Sequence, residues 1–307
     1  MTKTFRHFAV STALLLGVLD LSGHAQAKAI QSFGPFLQPE KALPTLCAHD
    51  DSAQGSLHLQ SPDHSRLELA RAYRVYLETK GQDGAAVNAI YKASLQSGVD
   101  FELLLLKAIM ESDLGQFTEA SGSSARGLFQ YIEPTWLALM KRYGAELGYA
   151  HYAEAISYAR GSALPHVKNK NKYLKAEILA LRYDDDLSAM MKALQIKEET
   201  AMLRQMKGAP VNATDHYISH MLGLPLAKEL YELRRRGSVF AVARLGNPQM
   251  REAAKLNRPF FYQGRNALTA ADVYKKFEAR VNREFKNIYS IENKGKNAIC
   301  TAAKMAL

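Results

Sequence analysis

No segment of this chain alternates apolar and polar residues for long, whereas apolar residues recur repeatedly at three- and four-residue spacing, a pattern that buries one face of a helix. Leu67, Ala70, Tyr73 and Leu77 share one such face. Ala86, Ile90, Ala93 and Leu95 continue the helical signal after a break at Gly81-Gln82-Asp83-Gly84. Asp100 is placed as the N-cap of a third helix, which Gly115 ends. Pro134 suits the start of a helix running to about Arg142 and stopping at Gly144. Further helices are predicted at 173–182, at 184–206 behind Asp184-Asp185-Asp186, at 215–222 and at 225–236. Thr269 with Asp272 makes a capping-box-like start for a last helix reaching Phe285. The expected class is all-α, with any sheet small.

The third helix carries the residue of most chemical interest. Leu103, Leu104, Leu105, Leu106, Ala108, Ile109 and Met110 lead up to a lone acid, Glu111, in what the stop at Gly115 makes the last turn. A carboxyl group in apolar surroundings is expected to hold its proton nearer neutrality and so to serve as a general acid. Lys107, four residues earlier, offers the plainer alternative of a helix ion pair, in the less favourable order. Asp113, Glu119 and Glu133 are close enough in sequence to be a second carboxylate.

The segment from Ser123 to Leu137 contains Gly127-Leu128-Phe129-Gln130-Tyr131, followed by Thr135-Trp136. Together with Glu111-Ser112 it resembles the catalytic core of the soluble lytic transglycosylase family, in which a Glu-Ser pair precedes a Gly-Leu-Met-Gln-like or Gly-Leu-Phe-Gln motif. The resemblance continues through Ile178 to Met191, through Tyr217-Ile218-Ser219-His220-Met221-Leu222-Gly223, which is similar to a Tyr-x-x-His-x-Leu-Gly motif of one exported subgroup, and through Asn257 to Tyr262 and Thr269 to Tyr274. It covers about residues 99–285. It departs from the family at Ser219-His220-Met221, where many members have Ala-Tyr-Asn.

That resemblance implies a goose-type lysozyme-like helical domain with additional helices, which cleaves the glycan strands of peptidoglycan. Glu111 would act first as acid and then as base on the bond between N-acetylmuramic acid and N-acetylglucosamine, leaving a 1,6-anhydro end. Ser112 and Gln130 are expected to bind substrate or orient Glu111, and Phe129 and Tyr131 to wall the groove beside Gly127 and Leu128. His220 would stand in for the missing asparagine. Tyr262 is the candidate for the tyrosine the family keeps near its acid, with Tyr217 as the alternative. No cofactor is implied. Envelope or secretion-apparatus proteins are the protein partners such an enzyme could have.

Lys3, Arg6 and His7 precede the apolar run Phe8 to Leu19, and Ala25-Gln26-Ala27 follows as a small-x-small cleavage site. The expectation is a signal peptide cut after Ala27 and a periplasmic protein. Asp20 interrupts the run and no other stretch approaches the ~20 apolar residues of a spanning helix, so no transmembrane anchor is expected. Cys47 lies too far from the run to be a lipoprotein cysteine. Removing Lys3, Arg6 and Asp20 with the leader takes the net charge from +10 to +9. Such a charge suits an acidic polymer. Nucleic acid is not expected, since export disfavours it and no zinc-finger spacing, phosphate loop or aromatic-basic interleave is present.

Cys47 and Cys300 are the two cysteines, and an oxidising compartment lets them pair. The long loop so closed is worth about 4–5 kcal/mol on the chain-entropy account; two unpaired thiols are the alternative. His216 and His220 have the spacing of a zinc-binding pair, but Tyr217 stands where the catalytic glutamate of that motif would be and no third ligand is evident, so no metal is expected. The organisation expected is a signal peptide at 1–27, an irregular arm or linker at 28–65 marked by Pro35, Pro39, Pro44 and Pro62, a helical lead-in at 66–98, the transglycosylase-like domain at 99–290 and a tail at 291–307. Two other functions compete. One is a muramidase-type hydrolase using a second carboxylate; the other is a catalytically silent scaffold that binds the cell wall.

Overall fold

A computed structural model of the chain describes residues 62–119, 122–168, 172–244 and 247–305. The expected leader, most of the expected arm and Cys47, with its pairing to Cys300, lie outside the described residues. The fold is all-α, as the periodicity predicts. In chain order its helices are α1 (Pro62–Glu78), α2 (Ala85–Ser97), α3 (Phe101–Ser112), α4 (Glu133–Tyr143), α5 (Ala150–Ala155), α6 (Lys172–Ala180), α7 (Asp185–Lys207), α8 (Ala213–Leu222), α9 (Leu224–Arg235), α10 (Pro248–Leu256), α11 (Arg258–Phe261) and α12 (Ala270–Met305). Two small antiparallel pairs complete it: β1 (Ile156–Tyr158) with β2 (Pro165–Val167), and β3 (Tyr262–Gln263) with β4 (Asn266–Ala267). Among the described residues no helix is long and apolar enough to cross a membrane.

The chain forms two compact units, one holding the described residues up to Gln195 together with those from Phe285 onward, the other holding Ile196–Glu284. In the first unit α1 packs on α2, α2 on α3, and α4 on α5, α6 and β2. Its core contains Phe101, Leu104, Leu105, Trp136 and Met140, all sealed from solvent. The Trp136 indole N–H donates to the Ile178 carbonyl at 2.6 Å, so the largest core side chain also has its polar atom satisfied. In the second unit α8 packs on α9, and the rings of Phe260 and Phe277 stack 4.1 Å apart with Tyr217 edge-on to both.

Local signals set the helix starts. The Asp100 carboxylate accepts from the Glu102 N–H at 2.9 Å, and Asp184 caps α7 through the Leu187 N–H at 2.9 Å. The Thr269 hydroxyl accepts from the Asp272 N–H at 3.3 Å and donates to the Asp272 carboxylate at 2.7 Å, fixing the start of α12. A capping box of Asn212 and Asp215 at α8 escaped the sequence reading.

Two boundaries differ from expectation. Residues 62–65 belong to α1 rather than to an irregular arm: Pro62 stands at the first helical position, where its missing N–H has no partner to lose. The tail predicted at 291–307 is helical to Met305, since nothing after Phe285 breaks the 36-residue α12. Gly295, the one glycine in that stretch, lies against the backbone of Ala72 on α1, where a Cβ would collide with the Ala72 carbonyl.

Candidate active site

Helix α3 ends at Ser112, so Glu111 occupies its last turn, half-buried. The chain then leaves the helix through three consecutive residues of positive φ: Asp113 at 52°, Leu114 at 58° and Gly115 at 84°. Gln130, at 47°, is the other non-glycine residue with positive φ among those described. Such conformations cost free energy in residues with a Cβ and persist where surrounding contacts impose them. Here all of them border Glu111 or the 127–131 turn.

Those contacts are specific. Ser112, 1% exposed, donates its hydroxyl to the Leu128 carbonyl at 2.7 Å and accepts from the Gly115 N–H at 2.8 Å. Its carbonyl accepts from the Phe117 N–H at 3.0 Å, and the Gly127 N–H donates to the Thr118 carbonyl at 3.0 Å. The Gln130 side-chain amide donates to the carbonyls of Gly127 at 2.8 Å and Phe117 at 3.2 Å. The segment after α3 and the Gly127–Tyr131 turn are thereby laced into one structure. The Ser112 hydroxyl and the Gln130 amide nitrogen are engaged in that lacing, a placement that supports orientation of the helix end.

Gly127 has φ of 77°, and a Cβ there would strike the Arg182 carbonyl. Glycine is required on both counts. Arg182, on the 3-10 turn Leu181–Tyr183, is 8% exposed and its guanidinium donates to the carbonyls of Ser124 at 2.6 Å, Tyr131 at 3.1 Å and Leu179 at 2.9 Å. Burial, and then the positive charge of Arg126, lower its pKa. Antiparallel bridges from Arg126 to Tyr131 and to Glu119 close the loop from outside.

Leu128, Phe129 and Tyr131 are 0%, 1% and 3% exposed, so they support the turn from beneath instead of walling an open groove. The Lys192 ammonium of α7 stands 4.8 Å from the Tyr131 ring and 5.4 Å from that of Phe129, a cation-π arrangement shielded from water. Burial, reinforced by the negative charge of Glu111, pushes the Tyr131 phenol well above its ordinary pKa. Tyr131 therefore stays protonated and neutral. Asp113 is also raised, by burial alone.

An aromatic side chain open to solvent here is Phe117, which sequence reading passed over. Phe117 is 56% exposed while its N–H and carbonyl are held by Ser112 and Gln130. Nothing in the sequence distinguishes an exposed Phe from a core one. Lys192 and Arg182 were missed for a related reason, since each acts through partners tens of residues away. Of the other carboxylates near the motif, Glu119 accepts from the Tyr183 hydroxyl at 2.9 Å and Glu133 pairs with Lys175 at 2.5 Å.

His220 and Tyr262 belong to the other unit, His220 half-buried on α8 and Tyr262 at the start of β3 with the Arg258 guanidinium 4.4 Å from its ring. Tyr217 is 7% exposed within the aromatic stack of that unit, a core position. His216 is 2% exposed, with Nδ1 3.0 Å from Glu199 and Nε2 3.0 Å from Thr200, so both ring nitrogens are engaged by neighbours. Ser219 donates to the other oxygen of Glu199. Asp215, sealed from solvent, takes the Lys207 ammonium at 2.6 Å and the Asn212 N–H at 2.9 Å. These contacts make a buried polar network joining α7 to α8. Among the described residues no three His, Cys, Asp or Glu side chains gather as metal ligands. No protein-family model matches the chain.

Proposed function

We propose that this chain is a periplasmic peptidoglycan lytic transglycosylase with Glu111 as its single acid-base residue. The observation that carries the reading is a half-buried carboxylate on the last turn of α3, at a strained helix end laced by Ser112 and Gln130 to the 127–131 turn. A rigid helix end fixes a proton donor in place before substrate arrives, which is what acid-base catalysis needs. The family resemblance of the Glu-Ser and Gly-Leu-Phe-Gln motifs supplies the substrate.

Glu111, protonated, gives its proton to the glycosidic oxygen as the bond from that oxygen to the muramyl C1 breaks. The 2-acetamido carbonyl stabilises the cationic centre at C1, so a second carboxylate is not required. Glu111, now a carboxylate, removes the proton from the C6 hydroxyl. Its oxygen closes on C1, giving the 1,6-anhydro sugar and restoring the acid without consuming water. Phe117 offers an exposed ring for stacking against a sugar face. His220 and Tyr262 are assigned as further substrate contacts on the resemblance alone.

A hydrolytic alternative rests on Asp113, whose burial-raised pKa would suit a base that activates water. Digestion of purified peptidoglycan separates the readings, with released fragments weighed by mass spectrometry. Wild type should give anhydro-ended fragments, lighter by one water than hydrolytic ones. Glu111→Gln should reduce their release by about 10²- to 10⁴-fold. Fragments with reducing ends would favour the hydrolase, and equal activity of the variant would remove Glu111 from the chemistry. Binding to the wall without cleavage by wild type would leave a silent scaffold.

A further inference from the structure

In the second unit, helix α9 ends in a motif that projects two apolar side chains into solvent beside a run of arginines. Arg236 caps the helix, the Gly237 N–H donates to the Arg234 carbonyl at 3.1 Å and the Ser238 N–H to the Leu233 carbonyl at 3.1 Å. Gly237 has φ of 62°. These are the two bonds of a Schellman stop, which turns the chain sharply off the helix axis. On the far side Ala241 bridges to Thr269, and the Val242 N–H donates to the Leu268 carbonyl at 3.0 Å with Val242 fully buried. Between these two anchors stand Val239 and Phe240, 79% and 70% exposed.

Both side chains are exposed at a tip whose two ends are anchored by backbone hydrogen bonds. Single exposed apolar residues are ordinary, but an adjacent pair at a protrusion is not. Its setting is cationic: residues 233–244 hold four arginines and no acid. Arg234 lies 3.9 Å from the Tyr274 ring, while Arg235 and Arg236, just before the tip in sequence, and Arg244, just after it, are exposed.

We infer that the Val239-Phe240 tip, with Arg235, Arg236 and Arg244, is a docking element for an anionic lipid surface. The guanidinium groups meet phosphate headgroups and the two apolar side chains enter the interface between headgroups and acyl chains. A hydrated acidic polymer would satisfy the arginines but has no acyl layer in which Phe240 and Val239 could be buried together. The inference is independent of the enzymatic reading.

The test uses the full chain carrying Phe240→Trp, with wild type as the reference because its one tryptophan, Trp136, is sealed in the core. Vesicles of phosphatidylcholine with about one-third phosphatidylglycerol should shift the added emission to the blue and allow its quenching by brominated acyl chains. Adding Arg235→Gln and Arg236→Gln should weaken that binding by roughly 10- to 30-fold, since each arginine near an anionic surface is worth about a fivefold factor. Pure phosphatidylcholine should give a much smaller response. Thermal melting of each variant checks that these exposed substitutions leave the fold intact. An unchanged emission with vesicles that do bind the chain would overturn the proposal, because attachment would then run through another segment. Indifference to the arginine substitutions would overturn it too. So would no vesicle response combined with self-association that Phe240→Ser abolishes, which would make the tip a protein contact.

Discussion

Ser112 and Gly127 hold Glu111 in place by different physics, and their substitutions should separate. Ser112→Ala removes the part-buried acceptor of the Gly115 N–H and the buried donor to the Leu128 carbonyl, at a cost of about 1–3 kcal/mol. Gly127→Ala adds a Cβ at positive φ and drives it into the Arg182 carbonyl, which no side-chain rotation relieves. Chemical denaturation should therefore show the larger loss for Gly127→Ala. Asp113 gives a prediction with a sign. Its raised folded-state pKa means the folded protein binds the proton more tightly than the unfolded chain, so its contribution is full below about pH 3.9 and is lost as pH rises through the folded-state value. Asp113→Asn should accordingly raise the melting temperature at pH 7, with the advantage vanishing below about pH 4. An equal gain at both pH values would assign the effect to backbone preference at this positive-φ position.

At the scale of elements, α12 shows local propensity and packing in opposition. Alanine is the better helix former by about 1 kcal/mol, so propensity alone makes Gly295→Ala stabilising. The Ala72 carbonyl of α1 occupies the space a Cβ would need, and forcing a methyl group into a packed backbone contact costs typically 1–3 kcal/mol. The packing term wins because neither partner is a flexible side chain. Gly295→Ala should lower the melting temperature, while Gly→Ala at an open position such as Gly208 tests only the cost of positive φ. The same opposition hid the extent of α12 from sequence reading: a glycine amid lysines and asparagines resembles a frayed tail until its partner helix is in view. Elements with strong local signals were legible, including the Asp100 cap, the Thr269 and Asp272 start and the last-turn position of Glu111. The short β1-β2 pair and α10 were not, since three-residue strands are too short to establish a period and α10 buries just Met250 and Ala254.

For the whole molecule the controlling quantity is charge, +10 at neutral pH. On the proposed function, this positive charge should make the chain bind isolated sacculi less tightly as salt rises from about 0.05 to 0.5 M, where screening shortens from more than 10 Å to a few ångströms. Pelleting of the chain with sacculi measures this. Retention unaffected by salt would point to recognition through uncharged sugar contacts alone.

The sequence by itself determined that the chain is helical, where most helices begin, and that one carboxylate ends an apolar helix ahead of a glycine-led turn. Those properties follow from periodicity and capping, which act over a few residues. Tertiary structure alone decided which side chains serve that carboxylate. Ser112 meets Leu128 sixteen positions away, and Arg182 reaches Tyr131 and Ser124 across fifty-one and fifty-eight. Phe129 and Tyr131 face inward and Phe117 outward for the same reason. Which way an aromatic side chain points depends on what the rest of the fold packs against it, and no local pattern of residues records that.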